Sequence, residues 1–251
     1  MNPKNHGPFY FHAVGHAFSA KFHVPIPHVI EAQAATSLPT IGGHANAHVE
    51  NFRAHHFVSF HHAHTHVSGS FLDEETVVTQ ATTTIEGLNI LNSFITADRI
   101  VARLTSEYRR GTKEAHIIAI GSHFDDLRIA GHDVKVTFRH DLFLKCPVFE
   151  DLRKLIASDK NSGKIAATED GVALCSLVEK IETDLPGLEK NGHILKIPHF
   201  GEVSIGQVFA TAGTRILTML RLNLGCPDCG QATVCETLVE GQPPPIIGGG
   251  K

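Results

Sequence analysis

His62-Ala63-His64-Thr65-His66 is the segment of this chain best suited to chemistry. In a β-strand alternate residues share a face, so these three imidazoles would project together, with neighbours about 6.6 Å apart. Two of them could reach one metal ion, and His44 and His48, on an equivalent strand upstream, could add a cross-strand ligand. Imidazole donors suit zinc, copper or nickel. The alternative is a solvated strand face whose polar residue is His. No carboxylate close in sequence offers itself as the general base that a metal-dependent enzyme would need.

Cys226-Pro227-Asp228-Cys229-Gly230 is the second such segment. A C-x-x-C turn resembles half of a zinc knuckle, with Cys235 as a third ligand and Cys175 or a distant His as a fourth. A disulfide within the loop, or plain reduced thiols, would account for the same spacing. The five cysteines are an odd number without the pattern of a disulfide scaffold. The chain contains no G-x-S-x-G elbow, H-E-x-x-H pair, Walker loop or dinucleotide fingerprint. A non-enzymatic protein is therefore expected, with a metal-dependent enzyme as an alternative.

Histidine dominates the composition. Of 19 in the chain, 13 fall within the first 66 residues, where only Lys4, Lys21, Glu31, Glu50 and Arg53 are otherwise charged. That third of the chain would turn cationic as imidazoles protonate near pH 6. The net charge of −4 and the lack of a basic stripe argue against a nucleic-acid binder. No apolar run approaches the roughly 18 residues of a membrane span. Met1 to Gly7 is polar and lacks the apolar core of a secretory signal, which leads to an expectation of a cytoplasmic protein.

The elements that must position these residues read as strands. Thr83–Ile90 and Ile95–Leu104 are rich in β-branched residues and bounded by Gly and Asn. An internal repeat runs beneath them, with a period of about 36 residues. Ala47–Arg53 aligns with Thr83–Asn89, and after a one-residue gap Phe57–Thr65 aligns with Phe94–Ala102. The repeat partners of His62, His64 and His66 are Arg99, Val101 and Arg103, which favours the solvated-face alternative. A third copy is expected from Phe124, and a further strand pair from Gly201–Ile205 with Arg215–Leu222. Pro147 with Phe149, Leu152, Leu155 and Ile156 predicts a helix, and Thr168 to Ile181 predicts a second.

The expected fold is mainly β: repeated β units, either a β-solenoid-like stack or a two-sheet sandwich, with a small two-helix insert. The expected segments are a His-rich N-terminus (1–43), repeated β units (44–145), a helical insert (146–190), a C-terminal β segment with the Cys-rich turn (191–240) and a Pro/Gly tail (241–251). Open strand edges invite pairing with further copies, so a self-assembling homo-oligomer is the first functional expectation. A protein that binds or sequesters a transition metal is the second.

Ser37–Gly43, Ile85–Leu91 running into Ile95–Ala102, Phe124–Asp133 and Ile197–Ile205 together resemble the choice-of-anchor P family of bacterial proteins. The resemblance covers most of residues 13 to 225 outside the helical stretch. It implies an all-β extracellular or surface protein without known catalytic residues. This chain departs from the family in its histidine-rich N-terminal third, its helical insert and its lack of a visible leader.

Overall fold

Val77, Thr79, Ala81, Thr83 and Ile85 alternate with Val78, Gln80, Thr82, Thr84 and Glu86, and β-branched residues with this period bury one face of a strand. The computed structural model, which describes residues 9–23, 27–158, 171–225 and 229–240, consists mainly of such strands. In chain order these are β1 (Ala13–Phe22), β2 (His28–Gln33), β3 (Thr36–Ser37), β4 (Gly43–Ala54), β5 (Val58–Phe71), β6 (Thr76–Ile90) and β7 (Ile95–Arg109). Shorter strands follow: β8 (His116–Ile118), β9 (His123–Asp125), β10 (Arg128–Ile129), β11 (His132–Asp133) and β12 (Lys135–Phe138). After helices α1 (Leu142–Lys145) and α2 (Phe149–Ser158) come β13 (Ala173–Ser176), β14 (Val178–Glu182), β15 (Glu189–Asn191) and β16 (Ile194–Ile197). The last described elements are β17 (Gly201–Thr211), β18 (Thr214–Leu224) and β19 (Gly230–Glu240).

Seventeen of the nineteen described strands form a two-sheet sandwich without a closed barrel, and β12 pairs with β14 as a separate two-stranded sheet. A nine-stranded sheet runs β15-β16-β17-β18-β19-β1-β2, with β13 on β17 and β3 on β1. An eight-stranded sheet runs β11-β10-β7-β6-β5-β4, with β8 and β9 also on β7. The two repeat copies are the hairpins β4–β5 and β6–β7. They lie side by side in one sheet, not stacked as solenoid turns. Val49, Ala63, Ile85 and Ile100 make one cross-strand row facing inward, so Val49 and Ile85 hold equivalent places.

Each strand of this meander carries an extra residue in the same row. Phe52 pairs with Phe60 and Glu50 with His62, which leaves Asn51 and His61 out of the ladder. Gly87 and Asp98 are skipped in the same way between β6 and β7. Asn51 and Gly87 are repeat equivalents, and both take a left-handed φ, 50° and 65°, which Gly and Asn adopt most easily. Because the strands gain a residue together, register survives while the inward set changes parity. On β5 it passes from Phe60 to Ala63, on β6 from Ile85 to Leu88, and on β7 from Ala97 to Ile100. The opposite sheet uses the same device: Gly206 (φ 57°) and Cys235 (φ 48°) alternate with Met219 and Ala17 along one skipped row. Such added residues strengthen the local right-handed twist.

The core lies between the inner faces of β1, β18 and β19 and those of β5, β6 and β7. It is close-packed at Gly15, where a Cβ would stand 2.7 Å from Thr83 Oγ1 and 2.8 Å from Thr65 Cγ2. No described helix is long and apolar enough to cross a membrane.

Two expectations are corrected. The helix after Pro147 forms as α2, but the second predicted helix does not: its start at Thr168 lies outside the described residues, and from Ala173 the chain is strand. The run from Val172 to Ile181 is apolar at so many positions that both periods fit it. Backbone pairing with β17 and then β12 decides between them, and at the corner sits the Ser176 hydroxyl. It lies 3.0 Å from both the Ile205 and Gly206 carbonyl oxygens and accepts the Val178 N–H, turning the chain from β13 on β17 to β14 on β12. A third repeat copy does not form among the described residues either, since β9 and β10 are short strands laid separately along β7. The expected pair near 201–222 forms as the hairpin β17–β18.

Candidate functional site

The sheet geometry gathers the predicted histidines on one face. Outward positions on β4 are His44, Asn46, His48 and Glu50, and on β5 they are His62, His64, His66 and Ser68. In register, His44 faces Ser68, Asn46 faces His66, His48 faces His64 and Glu50 faces His62. The rows continue through Thr82, Thr84 and Glu86 on β6 to Arg103, Val101 and Arg99 on β7. His62 therefore stands between two carboxylates, Glu50 and Glu86, and Glu86 reaches Arg99 Nε at 3.7 Å. His66 Nδ1 lies 2.6 Å from Asn46 Oδ1, so in this pair Nδ1 carries the proton and donates. Burial, and then the neighbouring His64 and His44, hold the His66 pKa below the ordinary imidazole value.

His48 and His64 are the best-placed metal donors. Residues directly opposed across a strand pair have Cβ atoms about 4.5–5.5 Å apart, within reach of one ion. A closed zinc site needs about four ligands. Among the described residues no three His, Cys, Asp or Glu side chains converge on one point. The predicted residues thus share a face, but they do not form a cage.

Among the described residues the cysteines of the expected knuckle do not gather into a metal-holding group. Cys226 lies outside the described residues. Cys229 is disulfide-bonded, so it carries no free thiolate. Cys235 points into the sandwich, with Sγ 3.7 Å from the Ile100 carbonyl oxygen, and burial pushes its thiol pKa far up. The left-handed residue at Cys235 in the skipped row is what turns this side chain inward. Cys175 is also buried in the interior, its thiol pushed up to about 12.

Sequence reading missed three features. The first is the edge: β4 ends its sheet, and among the described residues its backbone pairs only with β5. The second is a groove of about 640 Å³ on the same side of the sandwich, between β4 and the other sheet's edge strand β2. His28 and His55 meet there edge to face at 5.3 Å, both beside Phe57. The third is Arg215, which is 2% exposed. Its guanidinium lies 5.9 Å from the ring centres of both Phe143 and Phe149, and Nη1 donates to the Thr211 and Thr214 carbonyls. None of the three has a local signal, because each joins segments far apart in the chain.

A family model described as a domain of unknown function, DUF8256, matches residues 9–164 and 156–211. The chain belongs to that family. The DUF8256 match runs from just before β1 through β17, so it takes in the whole histidine face and the edge strand β4. No curated protein and no solved structure matches the chain.

Proposed function

We propose that this DUF8256 protein is a non-enzymatic structural protein that assembles with copies of itself through the free strand edges of its sandwich. The observation that carries the reading is β4, a 12-residue edge strand without a second partner among the described residues. An edge strand presents a row of unpaired N–H and C=O groups, and proteins that stay monomeric blunt such edges with Lys or Pro. β4 contains neither. Its bulge at Asn51 comes late in the strand and leaves the stretch 43–50 regular. Light scattering coupled to size exclusion tests the proposal: a dimer or larger species is expected. A strictly monomeric protein at high concentration would end it.

A second reading rests on the direct opposition of His48 and His64, flanked by His44, His62 and His66. In this reading the face binds zinc, copper or nickel with two or three imidazoles, as suits their donor preference. Calorimetric titration of untagged protein with each metal salt is the test. Uptake that falls at least about tenfold in the His48→Ala/His64→Ala double variant supports it, since two ligands are lost. No heat of binding from any of the three metals removes it.

A further inference from the structure

The outward residues of β4, read along the strand, are His44, Asn46, His48 and Glu50. Read backwards they are Glu50, His48, Asn46 and His44. Laid antiparallel, the strand is complementary to itself: histidine meets carboxylate at both ends, and amide meets imidazole twice between them. We propose that two copies of the chain join β4 to β4 antiparallel, about a two-fold axis through Ala47, as one continuous sheet. This rests on the assembly reading above and adds its interface and register.

Three observations favour this register. First, the same pairings already occur on the occupied side of β4. Asn46 bonds His66 at 2.6 Å and Glu50 faces His62, so these residue types fit across this strand's spacing. Asn46 uses its Oδ1 there, and its amide N–H groups remain to donate to His48 of the second copy. Second, the inward residues also match: Ala45 falls opposite the second copy's Val49, and Ala47 opposite its own counterpart. These are half-buried apolar residues already packed against the core, and pairing would extend that layer. Third, the bulge and the charge pattern together exclude the competing registers. A shift that centres the axis on Val49 sets the left-handed Asn51 against Ala47 inside the ladder. A shift to His48 sets His48 against itself and His44 against the inward Phe52. An axis at Asn46 sets His44 against His48 and leaves Glu50 without a histidine. Only the Ala47 axis pairs 44–50 end to end and stops short of the bulge.

Charge exchange tests the register. His44→Glu sets a new carboxylate against the second copy's Glu50, and Glu50→Lys removes the acceptor for His44. Each variant alone is expected to weaken dimerisation about tenfold, since two symmetric cross-strand pairs change in each. An equimolar mixture is expected to recover to within about threefold of wild type. The hybrid then holds one native histidine–carboxylate pair and one pair in which the two introduced charges, carboxylate and ammonium, face each other. His44 faces Ser68 within its own chain, so His44→Glu leaves the fold's internal pairs intact. Sedimentation velocity of the separate and mixed variants reads the outcome. Variants that dimerise like wild type, or a mixture that does not recover, overturn the register while leaving assembly through another edge standing. A monomeric wild type overturns both. Should either charge variant fail to fold, Ala47→Cys decides: mild oxidation gives a disulfide-linked dimer if residue 47 meets itself, and its absence in an assembling protein overturns the axis.

Discussion

Replacing Gly87 tests the row of extra residues that turns the histidines outward. Phe60, His62, His64 and His66 have the same parity along the chain, so an unbroken strand would point all four the same way. Phe60 is 1% exposed, whereas His62 and His64 are exposed. The skipped row through Asn51, His61, Gly87 and Asp98 separates them. Gly87→Ala acts on that row twice. Its φ of 65° costs an L-residue about 1–2 kcal/mol. The new Cβ would also stand 2.3 Å from His61 Nδ1 and 2.7 Å from its Cγ. Because His61 is exposed its ring can swing aside, at roughly 0.5–1 kcal/mol for leaving its rotamer. The expected total is about 1.5–3 kcal/mol. Gly87→Asn is expected to cost less, by about 0.5–1 kcal/mol, because Asn tolerates this backbone, as Asn51 does at the equivalent position. In a His61→Ala background only the backbone cost should remain. Urea unfolding followed by far-ultraviolet circular dichroism measures each step through the midpoint and slope. A Gly87→Ala cost below about 0.5 kcal/mol, or one unchanged by His61→Ala, would refute this account of the row.

Other perturbations have defined outcomes. Arg215→Ala opens a cavity between Phe143 and Phe149 and leaves the Thr211 and Thr214 carbonyls without their donor. It is expected to cost about 3 kcal/mol, and Arg215→Met about half of that, by the same denaturation measurement. Burial holds the His193 pKa down to about 4. The unfolded chain then binds the proton first, so this neutral histidine contributes stability above about pH 6.5 that is lost as pH falls toward 4. The loss is on the order of 3 kcal/mol at most. Urea midpoints between pH 7 and 4.5 should fall less steeply in His193→Phe than in the wild type, and parallel slopes would contradict the assignment.

Much of the fold is legible locally, for a physical reason. A strand with one buried face must alternate, and Thr76–Ile90 and Ile95–Arg109 largely do so on either side of the skipped row at Gly87 and Asp98. The repeat that equates Val49 with Ile85 and Asn51 with Gly87 carries both the inward row and the left-handed positions, because a duplicated hairpin has the same steric needs twice. Local pattern failed where two periods fitted equally, between Val172 and Ile181. There the backbone ladder to β17, a strand about thirty residues on, selects strand over helix.

The sequence by itself determined that Thr83–Ile90 and Ile95–Leu104 are strands, that two hairpins are copies, and that His62, His64 and His66 share a face. Tertiary structure alone decided that the copies lie abreast in one sheet, that β1 and β17–β19 from opposite ends of the chain supply the second sheet, and that β4 is left at an edge. It also placed Cys235 against Ile100 and enclosed Arg215 between two phenylalanines. Periodicity records only whether a side chain meets water or protein. Which strand it meets depends on closing loops between segments far apart in the chain, and that choice is made by the packing of the whole core.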